Sequence, residues 1–372
     1  MPVRIIGMIG VSPPQGASVH VIAGSISRDW IVKTSRDHEK AGYDEVLIGY
    51  HSSSADGFGI AGFAGSHTEK LSFLIAHRPG RVLPALAARK IATLDQLLDG
   101  RLSMHIIIGG SDADQAQEGD FTDKRERYER GGEYLDIMRR LWTSESPVDF
   151  EGRFYRVQEA RSDVRPFQDP YPTLLFGGSS EGALEMGARF CDTFAMFGEP
   201  LKETGERIAD YRRRCAAHGR QAKFNVSFRP IIAPTEGQAW DKARRILADI
   251  QGKPVPKSET ASASVSNLRL MDVAAKGEIH DERFWTPIAS ATGGHGNTTC
   301  LVGTAEQVAR SILKYYELGV GSFLLRGFDP DRDVEDFGRE LIPAIRAGAD
   351  ALDRSAGQRG PAGAALRREG GR

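Results

Sequence analysis

Residues 70–109 read KLSFLIAHRPGRVLPALAARKIATLDQLLDGRLSMHIIIG. An apolar strand, a polar turn, a long amphipathic helix and a second apolar strand follow one another within forty residues. That is a complete β-α-β unit, and its strands must be parallel because the helix carries the chain back across the sheet. His77 and Arg78 stand at the C-terminal end of the first strand, and His105 lies within the second. Parallel β/α folds build their sites at or beyond those strand ends, so chemistry is to be sought there.

The alternation persists through nearly the whole chain. Strands are predicted at Val3–Ile9, Glu45–Ile48, Leu71–Ala76, Leu102–Ile108, Thr173–Phe176, Thr193–Met196, Asn225–Ile232 and Ser322–Leu325. Helices fit between them at Ser27–Ala41, Leu83–Leu98, Lys124–Trp142, Glu181–Arg189, Leu201–His218, Glu236–Asp249, Thr304–Leu318 and Asp333–Ala347. An open doubly wound sheet has the same local pattern; the count of eight strands decides for a (β/α)8 TIM barrel. Thr304 and Gln307 have capping-box spacing, and Gly100 and Gly319 stand where left-handed C-cap residues are expected. In Leu83–Leu98, residues Leu83, Leu86, Ala87, Ile91, Leu94 and Leu97 form an apolar stripe for the barrel's outer layer.

One domain is expected over residues 1–350. Residues 251–299 interrupt the pattern after strand seven, with only a helical patch near Leu268–Ala275, and read as a lid. Residues 351–372, rich in Gly, Ala and Arg, read as a disordered tail.

The 49 basic and 50 acidic residues leave a formal charge of −1, which gives no general footprint for nucleic acid or an anionic membrane. Apolar runs are strand-sized, too short to span a bilayer, and the opening MPVRIIGMIGVSPPQG is broken by Gly and Pro before it could serve as a signal peptide. A cytoplasmic location is expected. Cys191, Cys215 and Cys300 have no metal-ligand spacing and read as buried thiols. No CxxC, HExxH, Walker loop or GxGxxG motif occurs.

Four constellations could carry chemistry. Phe176-Gly177-Gly178-Ser179-Ser180-Glu181 leaves a strand and opens a helix, a turn suited either to a phosphate or simply to capping. Tyr128, in Arg125-Glu126-Arg127-Tyr128-Glu129, can donate to an anion in an otherwise solvated helical turn. His51, His77 and His105 fall near the ends of neighbouring strands. They lack an accompanying carboxylate at metal-ligand spacing, so no metal is expected and hydrogen bonding to a planar heterocycle suits them better. Arg229, inside the apolar FNVSFRPII, and Arg326, in LLRGFDP, are charges that burial penalises unless they are paired. Together they make a clamp for an oxyanion; alternatively each pairs with a local acid, Asp329 being available to Arg326.

The segments LIAHRPGRVLPALAARKIATLDQLLDGR, ERYERGGEYLDIMRRLW, VDFEGRFYRV, PYPTLLFGGSSE and FGEP resemble the bacterial luciferase-like flavin monooxygenases, and most of all their alkanesulfonate monooxygenase branch. The likeness runs in order from about Asp29 to Ala347. It implies reduced FMN (FMNH2) supplied by a separate NAD(P)H-dependent FMN reductase, O2 as co-substrate, and a dimer or tetramer. It also implies that Gly178, Ser179, Ser180 and Tyr128 hold the FMN phosphate, with Ala76-His77 at a bulge against the flavin ring. His105 stands where alkanesulfonate enzymes have Asn, and Ser54 where they often have Cys. Arg229 replaces a His, Phe328 a Tyr and Phe197 a Trp, while Thr292–Asn297 lacks their lid Arg. The expected activity is C–S cleavage of a small organosulfonate, releasing sulfite and an aldehyde. Arg229 and Arg326 would bind the anion, His51, His77 and Ser54 would line the flavin face, and His295 would arrive with the lid. A related monooxygenase for a sulfone, sulfonated sugar, chelate or heterocycle, a deazaflavin-dependent oxidoreductase, and a non-catalytic flavin-binding barrel are the alternatives.

Overall fold

The computed structural model describes residues 2–13, 24–108, 111–252 and 264–359. Eight parallel strands form the wall: β1 Arg4–Ile9, β2 Glu45–Ile48, β3 Ser72–His77, β4 Leu102–Ile106, β5 Leu174–Gly177, β6 Thr193–Phe197, β7 Lys223–Ile232 and β8 Ser322–Leu325. Each pairs with its successor, and β8 returns to β1 with Arg4 opposite Ser322. The sheet is therefore closed. That excludes the open doubly wound arrangement and establishes the TIM barrel.

Strand alternation sorts the side chains. Ile6, Leu47, Leu74, Leu175 and Leu324 meet inside the barrel. Their sequence neighbours Ile5, Val46, Phe73, Ile75, Leu174 and Phe323 pack instead with the surrounding helices. Helices Arg28–Lys40, Gly57–Gly65, Pro84–Leu97, Lys124–Thr143, Glu181–Phe190, Leu201–Ala217, Glu236–Gln251 and Ala305–Glu317 accompany the wall. The Thr304/Gln307 capping box is formed, and Gly100 and Gly319 adopt φ of +78° and +99°. The Pro84–Leu97 stripe needs correction. Ala87, Ala88, Ile91, Ala92 and Leu94 are buried, whereas Leu83, Leu86 and Leu97 face out. The small residues let the helix lie close to the wall.

Three further expectations change. The Gly57–Gly65 helix, capped by Asp56 accepting from the Gly59 N–H at 2.8 Å, was not legible among its glycines. The excursion after β7 contains the expected helical patch, as helix Val265–Lys276, and more besides: the antiparallel pair Ile279–His280 and Phe284–Trp285, and helix Pro287–Ala291. Its return strand, Cys300–Gly303, runs parallel to the outer half of β7, with Cys300 opposite Arg229. Residues 253–263 of the expected lid lie outside the described residues. Finally, the last helix, Ile342–Arg359, follows a π-helical turn at Phe337–Leu341 and carries the chain through the first nine residues of the expected disordered tail. Residues 360–372 lie outside the described residues.

Among the described residues no helix is long and apolar enough to cross a membrane. The three cysteines are buried, and burial raises their thiol pKa values.

Candidate functional site

The β5 strand ends in Gly178-Ser179-Ser180, and helix Glu181–Phe190 begins at once. A Cβ at Gly178 would stand 2.8 Å from the Ala183 methyl and 2.9 Å from the Phe176 ring, so the turn tolerates nothing larger. Ser180 occupies the N-cap position but makes no capping bond. Its hydroxyl instead donates to Tyr128 Oη at 3.1 Å. The opening N–H groups of the helix are thus left without a side-chain cap, an arrangement that suits an oxyanion. Burial raises the Tyr128 pKa, which keeps the phenol protonated and able to donate.

Sequence reasoning missed the other side of this corner. Arg207 Nη2 donates to Ser179 Oγ at 2.7 Å, and Ser266 Oγ lies 2.9 Å from the same oxygen. Arg207 Nη1 reaches Glu199 Oε1 at 2.8 Å, while Arg269 makes two bonds to the Glu199 carboxylate at 2.9 and 2.5 Å. Glu199 is buried, and its carbonyl accepts from Tyr315 Oη at 2.9 Å. The available signal was Glu199 itself, a carboxylate immediately after an apolar strand in FGEP.

The inward-facing positions of β3 and β4 place Ala76 opposite His105. His105 Nε2 would stand 3.1 Å from a Cβ at Gly177, and its buried Nδ1 has no hydrogen-bond partner. Burial lowers its pKa to about 4, so the ring is neutral at physiological pH. An unsatisfied buried nitrogen next to the phosphate-like corner suits a planar polar ligand.

His77 departs from expectation. Because Ala76 points inward, His77 points outward, where it shares a 2.8 Å hydrogen bond with Tyr134 Oη on the Lys124–Thr143 helix. It ties the end of β3 to that helix rather than pointing into the barrel. Burial also lowers its pKa to about 4. His51 is an exposed rim residue, 3.2 Å from Asp114 and 3.1 Å from Ser53. Ser54 closes the same turn through the His51 backbone N–H and carbonyl. Nearby, buried Arg78 ties Asp114 and Glu118 at 2.5 and 2.6 Å, fastening the loop after β4 to the end of β3. Among the described residues no three His, Cys, Asp or Glu side chains gather as a metal site.

Arg229 and Arg326 come together at the ends of β7 and β8, but unequally. Arg229 is 1% exposed. It donates to the carbonyls of Asn297 at 3.1 Å, Gly327 at 2.9 Å and Gly296 at 3.2 Å, and its guanidinium lies 4.7 Å from the Phe328 ring centre. Burial and then the neighbouring Arg326 charge push its pKa down. The expected two-armed clamp is therefore revised, because Arg229 braces the Gly296–Asn297 turn of the excursion. Arg326 shares the Gly296 carbonyl and reaches Met8 Sδ at 3.0 Å, while its buried Nε has no partner. Burial lowers its pKa to about 10, still protonated at neutral pH. It does not pair with Asp329; among the described residues no carboxylate reaches it. His295 sits beside Gly296 on the same turn.

The comparisons with known proteins agree with this architecture. Riboflavin lyase, solved with modified FMN and riboflavin, is 19% identical and superposes with a TM-score of 0.76, covering 93% of this chain and 92% of its own. EDTA monooxygenase from Chelativorans sp. BNC1 is 17% identical, with a TM-score of 0.73 over 93% and 94% of the two chains. DmoA from Hyphomicrobium sulfonivorans gives 18% and 0.73 over 93% and 88%. At such identities these structures speak for the fold. The family described as luciferase-like monooxygenase matches residues 8–322, from the end of β1 to the start of β8. A match of that extent, on a closed barrel of this form, makes the chain a member of the luciferase-like monooxygenase family.

Proposed function

We propose that the chain is the oxygenating component of a two-component system that uses FMNH2 and O2 to cleave the C–S bond of a small organosulfonate. The observation carrying this reading is the pair of anion-friendly corners at one end of the barrel. One is the hydroxyl and N–H cluster after β5, and the other is the guanidinium pair after β7 and β8. Gly178, Ser179, Ser180 and Tyr128 would hold the FMN phosphate, with Ala76 and His105 against the ring. The uncapped helix start and the unsatisfied His105 Nδ1 fit that group.

Reduced FMN, when bound, would supply two electrons and two hydrogens to O2, so that RCH2SO3− would yield RCHO and bisulfite and the second oxygen atom would leave as water. The chain's own residues orient and enclose the reactants. Arg326, protonated and with an unpartnered Nε, would meet the sulfonate. Arg229 would act from behind, fixing the Gly296–Asn297 turn and adding positive charge. His295, beside Gly296 on that turn, would help to limit water access to the reactants. An NAD(P)H-dependent FMN reductase would supply the reduced cofactor.

The test is product analysis with a reductase, NADH, FMN and a panel of sulfonates and sulfones. Sulfite and aldehyde formed in equal amounts, only when a sulfonate is present, support the reading. Substrate-dependent oxygen use without sulfite overturns C–S cleavage.

A further inference from the structure

We infer that Arg207 and Ser266 complete the phosphate site, so that the phosphate of the flavin also fastens the Val265–Lys276 helix of the excursion to the β5 corner. This rests on the FMN reading above and extends it to residues on two other segments.

Two helix starts face one spot. Helix Glu181–Phe190 begins at Ser180 without a side-chain cap, and helix Val265–Lys276 brings Ser266 in its first turn to 2.9 Å from Ser179. Both N-termini add partial positive charge where a phosphate dianion would lie. Arg207, on helix Leu201–Ala217, already has Nη2 on Ser179 Oγ. Its other arm is fixed by Glu199, which is itself held by Tyr315 and Thr204 through its carbonyl, each at 2.9 Å. The guanidinium is thus aimed before any anion arrives. Glu199 is shared with Arg269 of the excursion helix, so one carboxylate serves two guanidiniums at this point. Glu203 and Asp272 act on the Arg269 side, and Glu203 pairs with Lys276 at 3.2 Å.

The hydrogen-bond chemistry is incomplete without an acceptor. Ser179 and Ser266 share one contact between two hydroxyls, and Ser180 donates to Tyr128, whose own proton is then free to point elsewhere. A phosphate offers enough lone pairs to accept from Ser179, Ser266, Tyr128 and Arg207 together. Riboflavin ends there in a single neutral hydroxyl, which cannot accept from all four. The phosphate would therefore join β5, the Leu201–Ala217 helix and the excursion helix, and the cofactor's tail would set the position of the element that covers the site.

Anaerobic titration with reduced FMN and with reduced riboflavin, read by tryptophan fluorescence, tests this together with amide hydrogen exchange over residues 265–276. The wild type should prefer FMN at least tenfold, and FMN but not riboflavin should slow exchange in the first turns of that helix. Arg207→Met should weaken FMN binding about tenfold to a hundredfold and leave riboflavin unchanged. Glu199 keeps Arg269 as a partner in that variant. Ser266→Ala, a milder change, should weaken FMN a few-fold and abolish the added protection. If the wild type prefers FMN but both variants keep the preference and the protection, this inference is wrong and the FMN reading stands. If the wild type does not distinguish the two flavins, the corner is not a phosphate site and both fall.

Discussion

The corner after β5 and the corner after β7 and β8 both gather positive potential, yet they are made in opposite ways. At β5 side chains bond to one another: the hydroxyls of a strand-to-helix turn meet Tyr128, Arg207 and Ser266 from three other helices, and Ser180 leaves its own helix without a side-chain cap. At β7, Arg229 donates to carbonyls 67, 68 and 98 residues away. The first corner leaves a helix start without a side-chain cap; in the second, one arginine is committed to main-chain carbonyls and its neighbour keeps an unpartnered N–H. Proximity of charges in a structure does not make them equivalent. What each donor already touches decides its use.

The largest effect that could break this contrast is on stability. Arg229→Met should cost about 3–5 kcal/mol in denaturant unfolding, because the Asn297 and Gly327 carbonyls lose their arginine donor in a buried place and Gly296 keeps only Arg326. Wild-type stability with a raised KM would instead make Arg229 a ligand-binding residue. Next, Arg326→Gln should raise the KM for the proposed sulfonate substrate about tenfold to a hundredfold with little change in melting temperature. An unchanged KM would remove the second corner from the substrate account. At the first corner, Tyr128→Phe should weaken reduced FMN binding about fivefold, the loss of one hydrogen bond, without altering the fold.

The smallest expected effect is a pH dependence that separates outward from inward histidines only by partner. His38, His77 and His105 each have a folded pKa of about 4, set mainly by burial. The unfolded chain binds protons below about pH 6.5 that the folded chain refuses, so stability is full above that value and falls as pH drops toward 4. Between pH 7.5 and 6 the loss should be about 1 kcal/mol or less per histidine. His105→Asn should remove one share of that slope. A slope unaltered by this substitution would mean that His105 is not held neutral in the fold.

The barrel was legible because each wall strand is a short apolar run and each helix carries its own punctuation, as at Thr304 and Gly319. The Gly57–Gly65 helix escaped because four glycines in nine residues argue against a helix locally, and packing overrides them. The excursion's two-residue strands are too short to show any period. At the candidate site, the Ser179-Ser180 turn was legible because a strand-to-helix turn is local, and Tyr128 drew notice from a different helix, 52 residues from Ser180. Arg207, Ser266 and Arg269 could not, since each looks like an ordinary helix residue until three segments converge, and Glu199 alone, a carboxylate just past an apolar strand, gave any signal. His77 was misjudged by one position: parity along β3 sends it outward, and a single residue of register decides which face a side chain serves.

The ten residues of β7 carry a consequence for engineering. Its first half closes the cylinder against β8, and its second half, Arg229–Ile232, is zipped to Cys300–Gly303. Trimming residues 251–299 together with that docking strand would bare a hydrophobic ladder edge able to recruit other chains. Any chimera that trades this excursion for another must therefore import a replacement edge partner, or it will precipitate before its selectivity can be measured.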